Sequence, residues 1–231
     1  MSFNSQKISM LCLSYSILLL SSTLKFSLIV GKNFAHFSVI FFVAPLLGAF
    51  LGGAQAITIT ALALATKVIL TSYPITGGIP TLLAVAAWST HSQFTCKKTI
   101  ASHLGYFFTM VALPALCMAL FMMHPTVGQG YIYALYWLIP ISFYAIHILL
   151  GYSNVFTVAL STTFIAHAVG STIWVFTIPM APAQWVSLMP IVALERLITA
   201  VGMTLLFIVM QKAKLIKIIL LKQHVVFNRF L

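Results

Sequence analysis

Apolar runs of helix length follow one another from residue 8 to residue 210, and among them stands the only carboxylate side chain of the chain, Glu195. Strands of a membrane barrel would read instead as short segments of alternating polarity, and a backbone in lipid must satisfy its own hydrogen bonds. The chain therefore reads as all-α, a polytopic transmembrane helical bundle. Its runs allow about six to eight spans, with a short re-entrant or broken helical segment. Hydrophobic residues make up 61% of the sequence and charged residues 6%. A soluble domain carries about a quarter of its residues charged, so that class is excluded. Residues 1–210 form one transmembrane domain, and residues 211–231 a basic amphipathic cytoplasmic tail.

The formal net charge is +11, yet no basic surface interleaved with aromatics exists to grip nucleic acid, and none is expected as a partner. The cations Lys212, Lys214, Lys217, Lys222 and Arg229 gather at the end instead, where they suit anionic lipid head groups of the bilayer. Cys12, Cys96 and Cys117 are widely separated, without disulfide or zinc-type spacing, and read as structural thiols. The start, Ile8 to Val30 behind Lys7, resembles a signal sequence, but Ser21-Ser22-Thr23 is a poor cleavage site. It reads as a retained first helix.

Phe37–Phe50 and Ala54–Ser72 are separated by Leu51-Gly52-Gly53, which divides two spans or breaks one long one. Gly48-xxx-Gly52 has the small-residue spacing of close helix contact, and Ala61-xxx-Ala65 offers a weaker surface of that kind. From Ser72 to Thr81 two prolines and two glycines stop regular helix, and the apolar stretch that follows reaches only Trp88. It reads equally as a re-entrant segment or as an interfacial turn. Four spans follow, near Leu104–Met123, Tyr131–Leu150, Val155–Ile178 and Trp185–Met210. Lys97–Lys98 and the basic tail fall on the same side by alternation, which the positive-inside rule makes cytoplasmic, as it does both termini. A bacterial inner membrane is the expected location.

A lone acid at membrane depth costs a few kcal/mol and faces a bundle interior or a wet cavity. Arg196 follows it directly. Sequence neighbours on a helix point about 100° apart, so the two are expected to reach different partners. Thr163, His167, Ser171 and Trp174 recur on one face of the preceding span, either as structural glue or in contact with a solute. His167 near Glu195 would form a hydrogen-bonded pair. The alternative is an ion pair of Glu195 with Lys67 or His167 that only fixes packing. Trp137 and Trp185 read as interfacial belt residues, while Trp88, beside the Gly-Pro segment, reads equally as a stacking residue.

No phosphate loop, HExxH or GxSxG motif is present, and one carboxylate cannot hold magnesium or form a carboxylate dyad. The seven histidines, at 36, 91, 103, 124, 147, 167 and 224, lack metal-ligand spacing. No metal, cofactor or catalytic residue is expected, and the chain does not read as an enzyme.

The stretch Ala44-Pro45-Leu46-Leu47-Gly48-Ala49-Phe50-Leu51-Gly52-Gly53, a further apolar span, then Tyr73-Pro74-Ile75-Thr76-Gly77-Gly78 resembles the substrate-binding S components of energy-coupling-factor vitamin transporters, biotin-type most closely. Where family members present an alanine-spaced docking surface on the first helix, this chain has Ser14, Leu18 and Ser22. The resemblance implies an integral membrane protein that captures a small-molecule solute and borrows energy from separate ATPase and coupling subunits. Together these features predict uptake of a small organic solute, a vitamin or related compound, with Glu195, Arg196, His167, Ser171, Trp174, Trp88 and Thr81 at the site. The alternative is a non-transporting membrane scaffold whose basic tail recruits a soluble partner.

Overall fold

The computed structural model describes residues 3–30, 33–71 and 75–212, with the side chains of 8–25, 38–71 and 76–212. The basic tail beyond Lys212 and the start of the Tyr73–Thr81 segment lie outside the described residues. Among the described residues ten α-helices follow in order, with a short hairpin after the first. Helix α1 spans Phe3–Thr23, strands β1 and β2 span Lys25–Val30 and Asn33–Ser38, α2 spans Ile40–Phe50 and α3 Gly53–Thr71.

The first apolar run does not stay helical to Val30. Ser21, Ser22 and Thr23 donate their hydroxyls to the carbonyls of Leu18, Leu19 and Leu20, at 2.9, 2.8 and 2.8 Å. Three such back-bonds in succession compete with continued helix and close α1. The antiparallel pair then runs in register from Lys25 opposite Ser38 to Val30 opposite Asn33, and the Val39 amide returns to the Leu24 carbonyl at 3.0 Å. Ser14, Leu18 and Ser22 are buried. Leu18 packs with Ile40, Ala44 and Leu47, so this face of α1 is closed by the chain's own helices.

The largest departure from the sequence reading is α4, which runs from Ile79 to Lys97 rather than stopping near Trp88. Its 19 residues reach about 28 Å at 1.5 Å per residue, close to the hydrocarbon thickness. Polar residues past Trp88 hide the helix in a hydropathy reading, yet several of them make hydrogen bonds inside the bundle. The Ser89 hydroxyl donates to the Val85 carbonyl at 2.7 Å, Thr90 meets Thr109 at 2.8 Å, and His91 Nε2 lies 2.9 Å from the Ser153 hydroxyl. The helix packs against α2, α3 and α8. At Gly48 an added Cβ would fall 2.5 Å from the Val85 carbonyl oxygen, which confirms Gly48 as a close-contact point. Gly52 has φ +81° and ends the α2 segment instead of packing. Ala65 is exposed and Ala61 half-buried, so that pair makes no tight interhelical seam.

Beyond Lys98, α5 (Ile100–Phe107), a π segment (Phe108–Ala112) and α6 (Leu113–Met122) form one continuous helix. The wider turn precedes Pro114, whose ring would clash with the Met110 carbonyl in regular α geometry. A 3-10 stretch, Gly128–Trp137, leads into α7 (Leu138–Leu150). Gly151, at φ +65°, stops α7, and Asn154 caps α8 (Val155–Thr177) by accepting from the Thr157 amide at 2.9 Å. A short α9 (Pro182–Ser187) precedes α10 (Met189–Lys212).

Among the described residues, five helical stretches are long and apolar enough to cross a membrane: Gly53–Thr71, Ile100–Met122, Gly128–Leu150, Val155–Thr177 and Met189–Lys212. With its shorter helices, the chain is an all-α, multi-pass membrane protein. Trp137 and Trp185 do not sit in an interfacial belt. Both are fully buried around Phe121 and Tyr133, with Trp185 5.2 Å from the Phe121 ring and 5.0 Å from that of Tyr133. Their size lets one end of the bundle close on an aromatic cluster.

Candidate functional site

Beneath that aromatic cluster lies a cavity of about 430 Å³ between α2, α4, α8 and α10. Its volume falls within the roughly 300–1,000 Å³ common for small-molecule sites. It is lined by the first turns of α2 and α4, by Thr162 to Trp174 on α8, and by Ile191 to Met203 on α10. These positions are at the start of α4 and of α10, so the cavity belongs to the half of the bundle remote from Lys97, Lys98 and Lys212. Tyr133 and Val192 belong to the cluster above it, and Met203 to the cluster below that includes Trp88 and Phe207.

Six of the seven expected residues meet on this one wall: Thr81, His167, Ser171, Trp174, Glu195 and Arg196. Thr163, on the same stripe, joins them. Trp88 does not. It is buried below the cavity with its ring 5.9 Å from that of Phe207, because α4 continues past it and turns that face toward α10. Lys67, on α3, is also absent from the wall.

Glu195 and Arg196 pair with each other, contrary to the expectation from their angular separation. Arg196 Nη2 donates to Glu195 Oε2 at 3.4 Å, a long contact that forms the only ion pair among the described residues. The guanidinium stem is long enough to fold back across 100° of helix surface. Side-chain exposures of 19% and 18% reflect an outlook onto the cavity rather than close packing. The Thr199 hydroxyl donates to the Glu195 backbone carbonyl at 2.7 Å, leaving the carboxylate itself to Arg196.

His167 turns to a residue that periodicity could not reveal. Its Nε2 lies 2.9 Å from the Tyr133 hydroxyl, which is 3.2 Å from that of Ser171. No bond joins His167 to Glu195, although both face the cavity. Three further groups on these residues make no hydrogen bond. The hydroxyls of Thr81 and Thr162 and Nε of Arg196 are buried without a hydrogen-bond partner, and all three residues line the cavity. Pro45, also on the wall, lacks the amide that would bond the carbonyl of its neighbour Phe41 one turn earlier. Buried polar groups are normally satisfied, so three unpartnered ones in residues around one void are unusual, although these atoms themselves are packed away from its surface.

The wall can therefore donate and accept hydrogen bonds, balance charge of either sign and stack rings. Among the described residues, no group of three or more His, Cys, Asp or Glu side chains could hold a metal ion. Comparison of the chain with protein-family models, curated proteins and solved structures finds no match.

Proposed function

We propose that this multi-pass membrane protein takes up a small organic solute and binds it in the cavity between α4, α8 and α10. The observation carrying the proposal is the convergence of Glu195, Arg196, His167, Ser171, Trp174 and Thr81 on one void. Intramembrane ionisable residues facing a cavity mark solute pathways, whereas charges serving only helix packing would lie in closed helix contacts. The cavity lies in the half of the bundle remote from Lys97–Lys98, the half that the positive-inside rule makes external, in a bacterial inner membrane with both termini cytoplasmic. Energy for uptake comes from separate ATPase and coupling subunits, as the S-component resemblance implies, and the solute is a vitamin or related compound.

The test is a thermal-shift screen of the detergent-purified chain against small organic solutes, since a ligand of the native state raises apparent stability by mass action. A saturable shift from a solute supports the reading. A folded protein that no solute shifts would favour the scaffold instead.

A further inference from the structure

We infer that His167 is held as its Nδ1–H tautomer and offers that N–H to the solute, which must meet it with a carbonyl or carboxylate oxygen. The inference rests on the uptake reading and deepens it by assigning His167 the part of a specificity-determining donor.

Protons can be counted in a closed triangle of polar atoms. The Tyr133 hydroxyl lies 2.9 Å from Nε2 of His167 and 3.2 Å from the Ser171 hydroxyl, which is itself 3.5 Å from Nε2. Tyr133 is 1% exposed and Ser171 5%. Among the described residues neither hydroxyl has a hydrogen-bond partner outside the triangle. Two hydroxyl protons therefore need acceptors within it. If Nε2 is unprotonated, Tyr133 donates to it, Ser171 donates to the Tyr133 oxygen, and every hydrogen is bonded. If Nε2 carries a proton, the two hydroxyls are left with the one edge between them, which holds one hydrogen. The second hydroxyl proton then has no acceptor. It could escape only past Ser171, which is 5% exposed, whereas the His167 ring is half-buried. The positively charged ring carries the same Nε2–H and meets the same objection. Buried polar groups are normally satisfied, and the bond made at one ring nitrogen sets the proton on the other.

Nδ1 takes no part in the triangle. It makes no hydrogen bond among the described residues, and unlike Arg196 Nε and the Thr81 and Thr162 hydroxyls it is not packed out of reach. From Ser161 to Ser171, the residues of α8 that are not buried are Ala166, His167 and Gly170, and all three line the cavity. The surface that His167 keeps is therefore cavity surface. No protein acceptor meets Nδ1 there, so the solute supplies one. A site that must hydrogen-bond its ligand rejects an analogue lacking the matching group.

The full chain, isotopically labelled at its histidine ring nitrogens and purified in detergent, is measured by NMR through long-range nitrogen–proton couplings at about pH 8, above the ordinary imidazole range. The His167 signals are those lost in His167→Gln. The expected result is a protonated Nδ1 and an unprotonated Nε2, and a protonated Nε2 overturns the tautomer. Solute contact is read by thermal shift, with nicotinamide, biotin and benzoate as acceptor-bearing probes and benzylamine and benzamidine as probes with donors alone. At least one acceptor-bearing probe should stabilise the protein saturably and bind tighter than either donor-only probe. Asparagine can place an amide nitrogen where Nδ1 stands, and glutamine where Nε2 stands. His167→Asn should hold affinity for that probe within about threefold, while His167→Gln, which keeps a partner for Tyr133, should lose about tenfold or more. The reverse order, or equal affinities, makes His167 a structural partner of Tyr133 and overturns the donor role while leaving solute binding intact. Stabilisation by donor-only probes alone overturns that role as well. No shift from this panel or from a broad solute library, with the protein folded, overturns the donor role and the uptake reading together.

Discussion

The Tyr133 hydroxyl lies 2.9 Å from Nε2 of His167 and 3.2 Å from the Ser171 hydroxyl, so one phenol ties the 3-10 stretch before α7 to two cavity residues of α8. Tyr133 is 1% exposed and its ring is held among Phe121, Trp137 and Trp185. Tyr133→Phe keeps that packing and removes only the bridge. Hydrogen bonds between membrane helices contribute about 0.6 kcal/mol on average and up to about 1.7. The variant should therefore melt about 2–4 °C lower and bind solute more weakly, because His167 loses the group that orients it. Unchanged affinity in a ligand titration would show that His167 does not contact solute.

Glu195 has a different dependence on its surroundings. Its carboxylate meets only Arg196, at 3.4 Å, and looks onto the cavity. Glu195→Gln should abolish solute binding while leaving membrane insertion and melting temperature nearly unchanged, since water in the cavity can solvate the guanidinium left behind. A large fall in melting temperature with binding intact would make Glu195 structural.

Trp88 separates packing from binding. Its ring is buried against Phe207, outside the cavity. Trp88→Ala should destabilise by about 3–5 kcal/mol, and the milder Trp88→Phe should retain solute affinity within about twofold, a ratio worth less than 0.5 kcal/mol. Loss of affinity in a stable Trp88→Phe protein would place the ring in the site after all.

Gly48 sets the approach of α2 to α4, where an added Cβ would fall 2.5 Å from the Val85 carbonyl oxygen. Gly48→Ala must push the helices apart, at a cost of about 1–3 kcal/mol. Ala65→Leu, on an exposed face of α3, should change stability by no more than about 0.5 kcal/mol. Melting curves of the two variants check both.

Much of the site was legible because helical period is local. Thr163, His167, Ser171 and Trp174 share a face by spacing alone, and the structure turns that face to the cavity. Glu195 was conspicuous as the only carboxylate in an apolar run. Contacts between helices were not legible in this way. Tyr133 sits on a 3-10 stretch where the period of 3.6 does not apply, and nothing near it in sequence announces His167 as its partner. The extent of α4 was hidden because its polar residues Thr90 and His91 bond to the π segment and to α8's N-terminal loop, which only the fold brings together. The hairpin after α1 escaped because its strands continue an apolar run, and hydropathy alone does not distinguish helix from strand there.

The central claim is a solute cavity in the half of the bundle remote from Lys97–Lys98, and cysteine accessibility at Ala166 tests it most directly. Ala166 lines the cavity and its replacement by cysteine adds little bulk. In a background with Cys12, Cys96 and Cys117 changed to serine, Ala166→Cys should react in intact cells with a membrane-impermeant thiol reagent added outside. A solute that stabilises the protein should slow that reaction at least tenfold. Reaction only from the Lys97–Lys98 side, or at the same rate with and without such a solute, would contradict the account.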